Sequence, residues 1–232
     1  MNGDKNEKLY AILSEHLTER KRRLFEEVVN QRTRHITIVL EDLYQAQNIS
    51  AIQRTVESWG IQDMHIIENT HSFSHHRRIA KGASDWLTLY RYNQQVDNTK
   101  ACFEDLRAKG YQIVVTALHE KSVALNDLDI TQKTAIVMGT ELTGASKEAI
   151  IDADVCMSIP TYGFTESLNV GAATAVISQH LSEKIRAQNL NWQLSESEKN
   201  ELKLAWAKKS IYWSKYLIDM FEAGELDLES FK

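Results

Sequence analysis

Three short segments combine side chains able to grip a polar ligand with the turn residues needed to present them. The first is Asn48-Ile49-Ser50-Ala51-Ile52-Gln53-Arg54, an amide followed six residues later by a guanidinium. Asn48 stands where a helix N-cap is expected, and Arg54 then projects from the same helix, under two turns on. The second is Gly139-Thr140-Glu141-Leu142-Thr143-Gly144. Two glycines flanking an acid after an apolar run suit a tight turn that leaves backbone N–H and C=O groups exposed. The third runs from Pro160, the single proline, to Asn169. It is another strand-to-helix turn, with Ser167 and Asn169 near the helix start. In parallel α/β sheets ligands bind beyond the carboxyl ends of the strands, so three such turns can converge. These residues outline a loop-lined site but specify no reaction. Each also has an ordinary structural use: Asn48 and Ser167 as caps, Glu141 as a surface acid, Arg54 as a salt-bridged helix residue.

Other chemistries find no support. None of the nine glycines forms a Gly-x-Gly pair, so the dinucleotide-binding fingerprint is missing, and so is a P-loop. His71, His75 and His76 lie beside Arg77 and Arg78 without nearby cysteines or carboxylates, which favours a phosphate-facing loop or plain surface over a metal site. Cys102 and Cys156 match no metal or redox spacing and read as buried thiols in a reducing cytoplasm. No apolar run reaches the eighteen or so residues of a membrane span, and the charged N-terminus carries no visible secretory signal. The net charge of −5 argues weakly against nucleic acid, but its distribution matters more. Between Arg20 and Arg34 six basic residues (Arg20, Lys21, Arg22, Arg23, Arg32, Arg34) face two acidic ones (Glu26, Glu27), a local +4 suited to phosphate. A solvated face on a packing helix is the plainer reading of that cluster.

The elements that must position these residues follow from periodicity. Leu9, Leu13, Leu17, Leu24 and Val28 share one face of an N-terminal helix. Ile36–Leu40, Met64–Ile67, Gln112–Thr116, Ala135–Met138 and Val155–Ile159 are short apolar runs expected as buried strands. Helices are expected over Ile49–Trp59, Lys100–Lys109, Ser146–Ala153 and Leu168–Ile185, with polar loops at Glu41–Asn48 and Asn69–Ser84. This alternation predicts an α/β fold with a mainly parallel sheet and helices on both faces. Beyond Arg186, Ser195-Glu196-Ser197-Glu198 has the form of a capping box, and Leu202, Trp206, Trp213, Leu217 and Met220 follow as a helical stripe for core or subunit packing. The expected organisation is a basic helical extension over 1–34, a central domain over 35–187 and a helical extension over 188–232.

Taken together, the three segments resemble the three motifs of the SpoU, or TrmH, family of the SPOUT methyltransferases. Asn48 to Arg54, with Thr55 after it, is similar to motif one. IVMGTELTGAS is similar to motif two and IPTYGFTESLNVGAA to motif three, whose Ser-Leu-Asn-Val is the most specific piece. The resemblance covers roughly Glu19 to Arg186 and includes the Lys81-Gly82-Ala83 turn. Within the family, the basic first helix, the Leu-Glu-Asp before motif one and the C-terminal helices resemble the branch that methylates guanosine 18 in the tRNA D-loop. An rRNA ribose methyltransferase of the same family is the alternative, and a non-catalytic RNA-binding module a more distant one. Thr161 stands where motif three often has methionine, Tyr162 and Phe164 make that loop unusually aromatic, and Gln47 replaces a histidine found in some relatives.

The resemblance implies a C-terminal trefoil knot, a homodimer with the donor pocket near its interface, and transfer of a methyl group from S-adenosylmethionine to a ribose 2'-hydroxyl of RNA, with no metal. It implies that the donor is held by the backbone of the loops at Thr116 to Leu118, Gly139 to Gly144 and Ile159 to Leu168. It implies that Arg54 stabilises developing alkoxide and grips the adjacent phosphate, since a guanidinium pKa above about 12 makes it a poor base. Asn48 would hold the ribose or Arg54, Glu141 would fix the second loop, and Ser167 and Asn169 would shape the third. The basic cluster from Arg20 to Arg34 would bind RNA.

Overall fold

The computed structural model describes residues 2–74, 76–118, 121–165 and 167–226. His75 lies outside the described residues, as do the side chains of Arg77 and Arg78. In chain order the elements are α1 (Asn2–Glu15), α2 (Glu19–Val29), β1 (Ile36–Glu41), α3 (Ala46–Ser58), β2 (Asp63–Ile67), α4 (Arg77–Ala80), β3 (Thr88–Tyr92), α5 (Asn98–Ala108), β4 (Tyr111–Thr116), β5 (Val123–Ala124), β6 (Lys133–Met138), α6 (Lys147–Ile151), β7 (Val155–Ser158), α7 (Val170–Ala187), α8 (Glu196–Ser210) and α9 (Ser214–Glu222). They form two units, Thr33–Trp192 and the described residues of Met1–Arg32 with Gln193–Lys232.

The larger unit is built on a seven-stranded sheet of order β3-β2-β1-β6-β4-β7-β5, and every neighbouring pair is parallel. Alternation along the strands explains why both faces are covered. Ile36, Ile38 and Leu40 of β1 with Ile136 and Met138 of β6 face Ile49, Ile52 and Val56 of α3 and Ile177, Leu181 and Ile185 of α7. Val39, Ala135 and Val137 point the other way, towards Cys102, Phe103 and Leu106 of α5 and Ala149 of α6. The α/β class, the parallel sheet and its two helical layers are as the sequence predicts. Because all strands run the same way, all their carboxyl ends lie along one edge, and the three motif loops leave from β6, β7 and the turn after β1.

In the smaller unit, α1 and α2 pack with α8 and α9 around Leu9, Ile12, Leu13, Phe25, Leu202, Trp206 and Leu217. The single N-terminal helix expected from leucine spacing is broken in two. Thr18 has extended backbone angles and its hydroxyl accepts from Lys21 N, so it caps a new helix. The break shifts the buried face: Phe25 and Val29 go inside while Leu24 stays half exposed. The capping box at Ser195 forms as expected. The stripe from Leu202 to Met220 is interrupted, because the chain turns between α8 and α9 and leaves Trp213 exposed.

Two strands escaped the sequence reading. β5 has only two residues, and β3 is a half-buried edge strand carrying Arg91. Next to β3, the buried His65 imidazole stacks on Tyr90 at 4.7 Å and places Nδ1 3.0 Å from the Tyr92 hydroxyl. Burial, helped by the Lys109 charge and opposed by Asp105, pushes its pKa down to about 4. The unfolded chain therefore binds this proton more readily than the folded one. The resulting stability is fully present above the unfolded value near 6.5 and is lost as pH falls towards 4. We expect wild-type protein to lose on the order of 2–3 kcal/mol more than His65→Asn between pH 7.5 and pH 4.5, measured by denaturant unfolding. Equal losses in both proteins would show that His65 is not the group responsible.

Candidate active site

Strands β1, β6, β4 and β7 are neighbours in the sheet, and the loops at their carboxyl ends carry the candidate residues. Asn48 is not the helix cap expected of it. The helix begins at Ala46 with Gln45 as its cap residue, so Asn48 lies in the first turn. From there its amide Nδ2 donates to Glu141 Oε1 at 2.5 Å and to Gln45 Oε1 at 2.9 Å, while its Oδ1 accepts from Asn169 Nδ2 at 3.4 Å. Residues 93 and 121 positions downstream thus meet at one amide. Both N–H groups of Asn48 are spent inside the protein, which makes it a positioning group. Asn169 uses its own Oδ1 to accept from Gly171 N at 2.9 Å, so the cap of α7 is Asn169 and not Ser167. Ser167 is exposed and has no hydrogen-bond partner among the described residues.

Arg54 lies three residues beyond Ala51, whose Cβ faces Gly171 where α3 and α7 approach. Its side chain is exposed and makes no ion pair among the described residues. The salt-bridged alternative is therefore not adopted among the described residues.

The loop after β6 closes on itself. Thr140 N donates to Gly144 O at 2.9 Å and Gly144 N to Thr140 O at 3.0 Å, with Gly144 at φ 70°. Gly139 sits beneath this closure, where a Cβ would overlap the backbone of Gly144 and Ala145. The Ser146 hydroxyl then caps α6 by accepting from Ala149 N. Leu142 at the loop tip is 83 % exposed. In the loop after β4, Thr116 Oγ1 donates to Val137 O at 2.9 Å, which ties that loop to β6, and Leu118 is exposed. After β7, Ile159 packs against the core, whereas Tyr162, Phe164 and Leu168 are exposed.

These observations fit a ligand whose flat heterocycle rests on apolar side chains of the three loops. Among the described residues Glu141 Oε2 is buried without a hydrogen-bond partner, leaving acceptor capacity turned inward. Leu118, Leu142 and Leu168 offer apolar surface on the same three loops. Among the described residues no cluster of metal-ligating side chains occurs.

Glu41 was passed over in the sequence as a loop acid. It is 3 % exposed, and its carboxylate accepts from Ser146 N at 2.9 Å, Ser146 Oγ at 2.7 Å and Thr99 Oγ1 at 2.8 Å. It ties the end of β1 to the end of the β6 loop and to α5. Its only sequence signal was an acid closing an apolar run. Asp42 follows at φ 58°, and its Oδ1 accepts from the N–H groups of Asn69, Thr70 and His71 at 2.7–3.0 Å. Burial works against ionisation there, but those N–H groups win and hold the carboxyl below its usual range.

The basic cluster is less uniform than its sequence suggests. Arg32 must be removed from the candidate RNA contacts: it is 1 % exposed, with its guanidinium 5.6 Å over the Trp206 ring. Arg34 is largely engaged by Asp63 at 3.1 Å. Arg22 pairs with Glu15 and Arg23 with Glu19, both in contact with solvent, where such pairs are weak. Arg20 and Arg23 are exposed, with Lys21 and Arg22 half-buried. Among the described residues no helix is long and apolar enough to cross a membrane.

The model of the SpoU rRNA methylase family matches residues 35–179. The chain is 38% identical over 204 residues to the tRNA (guanosine(18)-2'-O)-methyltransferase of Borreliella burgdorferi, covering 88% of this chain and 92% of that one. The crystal structure of the Aquifex aeolicus TrmH/SpoU tRNA modifying enzyme superposes with a TM-score of 0.74 at 28% identity, over 83% of this chain and 98% of that one. The SpoU methyltransferase AviRb from Streptomyces viridochromogenes, solved in complex with the cofactor AdoMet, shares the fold with a TM-score of 0.58 at 21% identity, over 70% and 65%. With its three loops joined through Asn48 and its sequence matched over most of its length, this chain belongs to the SpoU methylase family.

Proposed function

We propose that this protein methylates a ribose 2'-hydroxyl in tRNA, at guanosine 18 of the D-loop, with S-adenosylmethionine as donor. The observation that carries the reading is the amide of Asn48 bridging Glu141 and Asn169, which joins all three motif segments at the helix that also carries the exposed Arg54. The named activity of the Borreliella relative supports the choice of substrate. When bound, the donor supplies an already activated methyl group, so the protein has mainly to position the acceptor and manage one proton. Arg54 grips the phosphate beside the target ribose and stabilises negative charge as the hydroxyl loses its proton. Asn48 holds Glu141 and Asn169 in register. Gly139 to Gly144, Thr116 to Leu118 and Ile159 to Leu168 form the donor cradle.

Membership of the family supports a knotted chain, and the exposed Leu118, Leu142, Tyr162 and Phe164 support a second copy covering this edge. We also place the enzyme in the cytoplasm, with its tRNA. Mapping 2'-O-methyl groups on tRNA and rRNA from a deletion strain tests the substrate. Loss at the D-loop guanosine is expected. An unchanged D-loop with a missing rRNA site would move the activity to rRNA, and no change in either would leave only a binding module.

The exposed basic helix α2 has its own expected result. Replacing Arg20 and Arg23 with alanine should weaken tRNA binding across all sequences and lower the slope of log Kd against log salt by roughly 1 to 2. A slope equal to that of the wild type would mean that these arginines only solvate the helix.

A further inference from the structure

Beside the candidate active site stands a pair of rings that the motifs do not explain. Tyr44, in the turn after β1, is 40 % exposed, and the His71 side chain, in the loop after β2, is 45 % exposed. Their ring centroids are 5.1 Å apart with a tilt of 35°. The chain goes to some trouble to make them meet. Asp42 adopts a left-handed conformation, one of only two non-glycine residues to do so among the described residues. Such a conformation is disfavoured for a residue with a side chain and persists where the surroundings enforce it. Here the enforcement is the run of three backbone N–H groups from Asn69 to His71 on the Asp42 carboxylate, which fixes His71 against Tyr44. The second carboxylate oxygen lies 3.6 Å from His71 Nδ1.

This pair is wired to the reactive edge. Gln45 Nε2 donates to the Tyr44 hydroxyl at 3.5 Å, and Gln45 Oε1 accepts from Asn48 Nδ2 at 2.9 Å. Asn48 is four positions after Tyr44, so their backbones are at most about 14 Å apart. We propose that the Tyr44–His71 ring pair is a platform for one unstacked nucleobase of the RNA substrate, close to the nucleotide whose ribose faces Arg54.

The charge at the pair selects a base over a phosphate. The Asp42 carboxylate lies against His71, which makes the ring pair itself a poor seat for a phosphate. A half-exposed aromatic surface suits a base: unstacked RNA bases are commonly held on tyrosine and histidine rings, and stacking tolerates any base identity. The assignment rests on the proposed RNA methylation, though its test does not depend on turnover.

The test is a fluorescence-anisotropy titration of a labelled tRNA transcript with the full chain. Tyr44→Ala combined with His71→Ala should raise Kd about ten-fold or more. Tyr44→Ala alone should leave the salt slope unchanged, since no charge is lost, and calorimetry should show unchanged affinity for S-adenosylmethionine. Tyr44→Trp should bind as wild type does. A double variant within two-fold of wild type, or a Tyr44→Trp as weak as Tyr44→Ala, would overturn the platform. So would a loss accompanied by a changed sedimentation coefficient, which would make the ring pair a contact between copies. A wild-type protein that binds tRNA but methylates no RNA would sink the proposed activity while these arms still judged the platform.

Discussion

Arg54→Ala should lower single-turnover methyl transfer to tRNA by roughly 10² to 10³-fold, the usual effect of removing one donor that stabilises developing negative charge. Affinity for S-adenosylmethionine should hold, because Arg54 lies on α3 and not on the loops after β4, β6 and β7. The melting temperature should hold as well. The side chain is exposed and makes no ion pair among the described residues, and alanine is the better helix former at that position. Arg54→Lys separates charge from geometry. A lysine keeps the cation but lacks the planar fork that binds phosphate in two places, so it should recover only part of the rate. Rapid-quench transfer assays with saturating donor measure these steps. A near wild-type rate in Arg54→Ala would put the reactive centre elsewhere. A loss of donor binding would instead make Arg54 part of the cradle.

The same residue shows where sequence reasoning ends. Periodicity put Arg54 on a helix, and α3 is that helix, because Ile49, Ile52 and Val56 share a buried face. The strands were legible for a similar reason: a sheet buried on both faces turns ITIVL and AIVM into unbroken apolar runs. Where burial is partial, that signal fades. β3, with its exposed Arg91, and the two-residue β5 left no run to read. Leucine spacing carried α1 straight through Thr18, because periodicity does not register a side chain that caps the next helix.

The site was legible in a different way. The polar residues of the three segments could be named from type and spacing, yet which atoms meet depended on the crossovers of a parallel sheet. Asn48 looked like a cap, and only the return of β6 beside β1 makes it the partner of Glu141. Glu41 was invisible for the same reason. An acid at the end of a strand reads as the start of a loop, whereas here it is buried because Thr99 and Ser146 are brought to it from distant segments. Arg32 failed in the opposite sense. Sequence counts its charge with the surface, while the fold places its guanidinium over the Trp206 ring.

Gly139→Ala is expected to destroy the donor cradle. A methyl group at this position points into the Gly144 and Ala145 backbone, which cannot rotate away as a side chain could. Relief requires opening the Thr140–Gly144 hydrogen-bond pair, and with it the turn that carries Glu141 and Leu142. Overpacking of this kind typically costs about 1–3 kcal/mol, and here the cost falls on the loop because Met138 just before it is locked to Leu40 in the centre of the sheet. Donor affinity should therefore drop at least ten-fold, with a modest fall in melting temperature. Gly144→Ala supplies the graded control. Its added Cβ meets nothing within 4 Å, but φ of 70° disfavours any side chain, so it should cost only about 1 kcal/mol. Calorimetric titration of S-adenosylmethionine into both variants orders them. If Gly139→Ala binds the donor as well as wild type, the loop after β6 is not the cradle. If Gly144→Ala is the more damaged of the two, left-handed backbone at Gly144 matters more than the close approach at Gly139.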